Sequence, residues 1–210
     1  MTDGAAVDLV LASASPRRRE LLGQLGLVLE VTPANVDETP LPGERPGDYV
    51  RRVAAAKCDA VAQARAADAP SVPVVAADTI VIVDDQILGQ PTDEADARRM
   101  LLALAGRRHD VTTAYRINFG GRTVDRAVTT TVSFRSLRPA EVDAYIASGE
   151  WRGKAGGYAV QGRAGVFASE LRGSHTNVIG LPLAELLADL QALEALPRYP
   201  PAGFGARSDT

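Results

Sequence analysis

The chain has 210 residues, of which 46% are hydrophobic and 23% are charged. This length and composition predict a soluble globular protein with one sizeable domain, or one domain of two lobes. The 23 Lys and Arg residues against 26 Asp and Glu give a formal net charge of −3. A nucleic-acid binder is disfavoured, because such proteins are usually basic.

The sequence also bears on the compartment. The single cysteine, Cys58, excludes an intramolecular disulfide framework and fits a reducing compartment. No apolar run reaches the roughly 18 residues that a membrane span needs. No basic segment precedes an apolar stretch at the N-terminus, so we expect no signal peptide. We therefore expect a cytoplasmic protein that does not act at a membrane.

Strands and helices alternate in the first part of the chain. Ser15 as N-cap and Pro16 at the first helical position mark a strong helix start, and Gly26 can end that helix. The turn Asp84-Asp85-Gln86 predicts a hairpin. The predicted order is strand 7–12, helix 16–25, strand 28–32, loop 35–48, helix 49–65, strand 72–83 and a short strand at 87–88.

The second part continues in the same manner. Thr92 is the predicted N-cap of a helix that ends before Gly106, and Gly120-Gly121 is the predicted turn of a second hairpin. The predicted order is strands 111–119 and 123–134, helix 139–146, glycine-rich segment 153–162, strand 166–171 and helix 183–196. We expect an α/β fold with a mixed central sheet, in a single domain over residues 1–196 followed by a flexible tail over 197–210.

The helix that starts at Pro16 has charges of the wrong sign. Helix starts favour acids, yet Arg17, Arg18 and Arg19 stand there, directly after a strand and the turn that holds Ser13 and Ser15. Free N–H groups, hydroxyls and guanidinium donors together form a suitable site for a phosphate. A solvated basic turn is the alternative, and it suits Arg19 best.

Two further charged residues occupy apolar patterns. Lys57 falls in the middle of the apolar stripe of its helix, where it needs an anionic partner unless its stem snorkels to the edge. Asp78 interrupts the run VVAADTIVIV, which is costly unless the strand opens on a cleft. There an aspartate can hold a divalent metal or polarise a water; the alternative is a hydrogen bond to a turn.

Other candidates are weaker on their own. Glu38 lies on a loop, where acids are ordinary, and Lys154 and Gln161 lie in a glycine-rich segment that lets backbone approach a ligand. His109 and His175 lack metal-ligand spacing, and a hydrolase triad is disfavoured. A cationic helix start, an inward lysine and isolated acids together predict a polyphosphate bridged by a metal.

A series of motifs resembles one known family, the Maf-like nucleotide pyrophosphatases. The resemblance covers about residues 9–187, and the combination of motifs is specific where no single one would be. In chain order the motifs are LASASPRRRELL, VDE, AAAKCDAV, AADTIV, GQPTDEADARRML, GRRHDVTT, KAGGYAVQG and NVIGLP.

The resemblance implies two lobes around a cleft, similar to inosine triphosphate pyrophosphatases, and hydrolysis of a nucleoside triphosphate to the monophosphate and pyrophosphate. It implies Mg²⁺ or Mn²⁺ as cofactor, held by Asp78 and Glu38, and a homodimer. Asp78, Glu38 and Lys57 would be the catalytic residues. The substrate would be bound by Ser13, Ser15, Arg17, Arg18, Thr79, Lys154 and Gln161.

Three positions sort the branches of this family, and here they hold Arg17, Thr79 and Gln161. This set resembles the branch that acts on dTTP and UTP, with a house-cleaning role and a link to cell division. In one departure, Gln90 stands where relatives often have lysine. The alternatives are a pyrophosphatase of broader specificity and a nucleotide-binding division regulator without turnover, which would not need Asp78.

Overall fold

The computed structural model describes residues 6–65 and 72–201. Its centre is a mixed sheet of seven strands, which confirms the predicted α/β class. The strands are β1 (Leu9–Leu11), β2 (Leu29–Val31), β3 (Val74–Val83), β4 (Gln86–Leu88), β5 (Arg108–Phe119), β6 (Arg122–Phe134) and β7 (Ala168–Arg172).

The strand order is β2-β1-β3-β5-β6-β7, with β4 on the free side of β3. β1 lies parallel to both β2 and β3, whereas the other pairs are antiparallel. The two long hairpin strands β5 and β6 pair along their full length. Both predicted hairpins are confirmed.

Helices cover both faces of this sheet. They are α1 (Pro16–Gly23), α2 (Pro46–Ala64), α3 (Glu94–Leu104), α4 (Pro139–Ala147), α5 (His175–Ile179) and α6 (Leu183–Ala192). The apolar stripe of α2 packs on one face, against side chains such as Ala76 and Ile80. On the other face, α1 and α6 build one core around Tyr115, and α3 and α4 build another around Phe134.

None of the helices in the described part of the chain is both long and apolar enough to cross a membrane.

β3 has an open stretch in the middle of one edge. On that side Val74 and Val75 pair with β1, and Val81 to Val83 pair with β4. Asp78 and Thr79 lie between these two segments, and their side chains point to opposite faces because side chains alternate along a strand. The edge opens at this point, as expected for a strand that tolerates an aspartate in an apolar run.

Several predicted boundaries are wrong, each for a local reason. The N-cap of α3 is Asp93 rather than Thr92, because the Asp93 carboxylate accepts a hydrogen bond from the Asp96 N–H at 2.8 Å. The last strand begins at Ala168 because the preceding residues form a 3₁₀ turn (Arg163–Phe167). α6 ends at Ala192, before Glu194 adopts a left-handed φ of 56°.

Two segments were predicted incompletely. The short helix α5 was not predicted, and α2 begins at Pro46 inside the predicted loop. The predicted flexible tail, 197–210, lies largely outside the described residues, which end at 201. In its described part, Tyr199 packs partly buried against the core formed by α1 and α6.

Candidate functional site

A cavity of about 360 Å³ lies at the open edge of β3. The loop between β1 and α1 forms one wall, and the glycine-rich segment forms the opposite wall. The structure brings together every site residue that the sequence predicted, although these residues come from five separate segments. Those lining residues are Ser13, Ser15, Arg17, Arg18, Glu38, Lys57, Asp78, Thr79, Lys154 and Gln161.

The start of α1 offers hydrogen-bond donors to this cavity. Within the described chain, the Ser15 side chain caps none of the N–H groups of the first turn. Ser13 Oγ accepts from the Ser15 N–H at 3.2 Å and from Arg18 Nη1 at 3.1 Å. Because both oxygen lone pairs of Ser13 are engaged, its own proton is available to an acceptor in the cavity.

Arg18 explains how a helix can start with a cationic sequence. Its guanidinium is buried, and its Nε donates to Gly180 O at 2.8 Å, at the C-terminal end of α5. Burial lowers the pKa of Arg18, and the charge of Asp78 partly offsets this effect. The positive charge at the start of α1 therefore faces the negative end of a different helix.

Arg17 and Arg19 lie in different environments. Arg19 is exposed, as predicted. Arg17 Nη2 donates to Gly153 O at 3.2 Å, and so connects α1 with the glycine-rich wall across the cavity. Burial lowers the pKa of Lys154 on that wall, and the nearby charge of Arg17 lowers it further. Two cations held close together in this way favour an anionic ligand between them.

Lys57 lies between two carboxylates. Its Nζ is 2.9 Å from Asp78 Oδ1 and 2.8 Å from Glu38 Oε2. The side chains of Lys57 and Asp78 are each 12% exposed, whereas that of Glu38 is 48% exposed. The predicted inward orientation of Lys57 is thus present, and its partners are the two acids of the site.

The environment of Asp78 opposes its charge. Burial raises the pKa of Asp78, while Lys57 and Arg18 lower it and Glu38 raises it; the net direction is upward. A carboxylate with a raised pKa is a stronger base than an exposed one and holds a proton better once it has accepted it. The phenol of Tyr49 is also partly buried, which raises its pKa, and the charges of Asp78 and Glu38 raise it further.

A buried hydroxyl network behind Thr79 could not be predicted from the sequence. Thr79 Oγ1 accepts from Arg18 Nη2 at 3.0 Å and lies 2.9 Å from Thr113 Oγ1. Thr113 Oγ1 donates in turn to Asn177 O at 2.9 Å. Thr113 and Asn177 are fully buried, and a threonine inside an alternating strand gives no sequence signal of such a role.

The charge of the cavity differs in sign from that of the whole chain. Its lining includes four cationic side chains, Arg17, Arg18, Lys57 and Lys154, against the two carboxylates Glu38 and Asp78. The cavity thus has an excess of two positive charges, although the whole chain has a formal net charge of −3. Gln90 also lines the cavity, so a lysine in its place would have added a further cation.

The donor set bears on the predicted divalent metal. In the described ranges, no group of three or more His, Cys, Asp and Glu side chains is arranged to hold a metal ion. Two carboxylates are too few for a cage made of protein ligands alone. Mg²⁺, however, usually binds through one or two carboxylates together with phosphate oxygens of the substrate. Asp78 and Glu38 therefore fit a metal that arrives with a polyphosphate.

Curated proteins of known name are similar to this chain over most of its length. A dTTP/UTP pyrophosphatase of Anaeromyxobacter dehalogenans is 52% identical over 187 residues, which cover 87% of this chain and 92% of that protein. Those of Sphingopyxis alaskensis and Cereibacter sphaeroides are 52% and 48% identical and cover 88% and 91% of this chain and 96% and 97% of their own lengths.

Solved structures give a weaker resemblance. The Ham1 protein of Staphylococcus aureus matches 60% of this chain and 71% of its own at 18% identity, with a TM-score of 0.43. A dITP/XTP pyrophosphatase of Mycobacterium abscessus matches 90% of this chain and 96% of its own at 16% identity, with a TM-score of 0.40. We draw no functional conclusion from values this low.

The family model described as "Maf-like protein" matches residues 8–193. This match spans β1 through α6 and includes every residue that we predicted for the site. The chain therefore belongs to the Maf family.

Proposed function

We propose that this protein hydrolyses dTTP and UTP to the nucleoside monophosphate and pyrophosphate. The relatives of about 50% identity that carry this name cover most of the chain. The observation that carries the proposal is the cavity itself, where an excess of two positive charges surrounds one buried acid, Asp78. The negative charge of a triphosphate is complementary to the cationic lining of the cavity, and its hydrolysis requires a general base close to the phosphates.

The phosphates bind along the α1 wall. The free proton of Ser13, the N–H groups of the first turn of α1 and the side chain of Arg17 supply donors from one side. Lys154 supplies a charge from the other. Phosphoryl chemistry depends mainly on such positioning and charge neutralisation, because the protein contributes little covalent chemistry.

A divalent metal belongs to this proposal as well. Asp78 and Glu38 would hold Mg²⁺ or Mn²⁺ together with phosphate oxygens, and the metal would supply further neutralisation of phosphate charge. Lys57 bridges both acids in the structure. When the triphosphate enters, the ammonium of Lys57 turns to a phosphate oxygen and releases Asp78.

Asp78 is then the proton acceptor. A water attacks the α-phosphorus, its proton passes to a carboxylate oxygen of Asp78, and the bond between the α-phosphorus and the bridging oxygen breaks. Pyrophosphate leaves with that bridging oxygen. The raised pKa of Asp78 suits this role, because the group must keep the proton until the product departs.

The nucleobase lies near Thr79 and Gln161, whose side chains form hydrogen bonds with its polar edge.

We further propose that the protein acts in the cytoplasm as a homodimer and removes unwanted nucleotides, without binding nucleic acid or membranes. A regulator of cell division that binds nucleotide without turnover is the competing function. The buried Asp78 favours the enzyme, because a binding protein gains nothing from an acid whose burial is unfavourable.

A panel of nucleoside triphosphates tests the proposal, with Mg²⁺ and Mn²⁺ supplied separately and Asp78→Asn as the control variant. We expect monophosphate and pyrophosphate from dTTP and UTP, and a turnover about 10²- to 10⁴-fold lower in Asp78→Asn. Binding without any product would support the regulator, and equal rates on all triphosphates would support a broader specificity. Diphosphate and orthophosphate as products would contradict the proposed reaction.

A further inference from the structure

The hydrogen bonds behind Thr79 have a fixed direction. Asn177 O is a carbonyl and can only accept, so the hydroxyl proton of Thr113 goes to it. The two N–H groups that could otherwise serve this carbonyl, those of Gly180 and Leu181, both donate to Thr176 O instead. A buried carbonyl without a partner would be costly, which holds the Thr113 proton in place.

This arrangement determines what Thr79 does. Thr113 already donates its single hydroxyl proton to Asn177 O. In the 2.9 Å contact between the two hydroxyls, Thr79 must therefore be the donor. Arg18 cannot accept, so Thr79 also receives a hydrogen bond from Arg18 Nη2. One lone pair of Thr79 is left for the cavity, and no proton.

We propose that Thr113 orients the Thr79 hydroxyl as a pure acceptor and thereby selects nucleobases that present an N–H donor at this point. Uracil and thymine carry a proton on N3, whereas N3 of cytosine carries a lone pair. Two lone pairs facing each other repel, so cytosine is rejected. This inference rests on the proposed function, because it assumes that Thr79 faces N3 of the base rather than the neighbouring 4-position, where cytosine carries an amino group.

Ser13 provides an internal contrast. Its oxygen accepts twice, from Ser15 N–H and Arg18 Nη1, which leaves it a proton for the cavity. Arg18 thus touches two hydroxyls with opposite outcomes: Ser13 presents a donor, suited to phosphate, and Thr79 presents an acceptor, suited to a base N–H. The difference arises from Thr113, which does not line the cavity.

The experiment compares pyrophosphate release from UTP and CTP in Thr113→Val, which has nearly the same shape but no hydroxyl. Freed from Thr113, the Thr79 proton can turn to N3 of cytosine. We expect kcat/KM for CTP to rise and the ratio of UTP to CTP to fall by about tenfold, the effect of one net hydrogen bond. Thr113→Ser keeps the hydroxyl and should retain the ratio of the wild type.

Thr112→Val is the matched control. Thr112 is the neighbour of Thr113 on β5, and its hydroxyl pairs with Thr129 rather than with Thr79. Its removal should leave the ratio unchanged. If Thr113→Val does not fold, Thr113→Ala deletes the same hydroxyl without placing a new methyl group there. An unchanged ratio in a folded variant without this hydroxyl would overturn the proposal.

The wild-type enzyme supplies a second arm. CTP and N3-methyl-UTP both lack the N3 proton, so we expect each to be a poorer substrate than UTP by at least about tenfold. Comparable rates on UTP and CTP would overturn the role of Thr79 and leave the proposed function intact. Absence of pyrophosphate release from both dTTP and UTP would instead refute the proposed function itself.

Discussion

Replacement of Lys57 by methionine removes the one ammonium that pairs with both acids of the site. Methionine keeps the length and apolar packing of the lysine stem, so the change is mainly in charge. Asp78 then remains at a site where its side chain is 12% exposed, with Nζ of Lys57 no longer 2.9 Å away. Glu38 loses the same partner but is 48% exposed and can be solvated by water.

The expected loss of stability follows from this difference in exposure. Removing one partner of a buried ion pair costs about 3–5 kcal/mol, because the other charge stays buried and unpaired. Asp78 keeps the favourable field of Arg18, so we expect a value near the lower limit, about 3 kcal/mol at neutral pH. For a domain of this size, that corresponds to a decrease of about 6–12 °C in Tm.

The pH dependence has a definite sign. Lys57 lowers the pKa of Asp78, so its removal raises that pKa further above the ordinary value. An aspartate with a raised pKa in the folded state destabilises it when ionised, and this penalty disappears as the pH falls through the folded pKa. The stability deficit of Lys57→Met should therefore shrink in acid.

The assay is urea denaturation at several pH values of the wild type, Lys57→Met, Asp78→Asn, the double variant and one control variant. The double variant should recover much of the stability lost in Lys57→Met, because the unpaired charge is gone. Arg99→Met is the control, since Arg99 is 61% exposed in its pair with Asp96 and should cost less than about 1 kcal/mol. If Lys57→Met loses no more stability than this control, or if adding Asp78→Asn to it restores none, Lys57 does not stabilise a buried Asp78 carboxylate.

Asp78 and His109 each predict a pH dependence. Burial raises the pKa of Asp78 above the ordinary aspartate value of 3.8. In a pH–rate profile, the acid limb of kcat/KM should therefore lie above 3.8. A limb at or below that value would argue against Asp78 as the general base. Burial also lowers the pKa of His109 from 6.5 to about 4, so the unfolded chain binds an extra proton between these values, and stability is lost as the pH falls through this window. Compared with His109→Gln, the wild type should lose about 3 kcal/mol between pH 7 and pH 4 in urea titrations; parallel pH profiles for the two proteins would show that His109 does not titrate there.

The local parts of the fold were predictable because their causes lie within a few residues. Ser15 and Pro16 mark the start of α1, and the apolar run around Asp78 forms β3. Lys57 and Asp78 stood out because each violates the pattern of its own element, and the structure places both at the cavity. A violation of a local rule is visible in the sequence, whatever its distant partner is.

Features that depend on contacts between distant segments were not predictable. The role of Thr113 requires the pairing of β3 with β5 and the position of α5, a short helix with no clear apolar period. Arg18 finds Gly180, a partner 162 residues away. The ends of α6 and β7 also differ from prediction, because a left-handed Glu194 and a 3₁₀ turn decide them.

In the proposed reaction, water attacks the α-phosphorus beside Asp78. Hydrolysis of UTP in water labelled with oxygen-18, followed by mass spectrometry of both products, tests it most directly. We expect the label in UMP and an unlabelled pyrophosphate. Label in the pyrophosphate, or UDP and orthophosphate as products, would place the attack at a different phosphorus and contradict the proposed reaction.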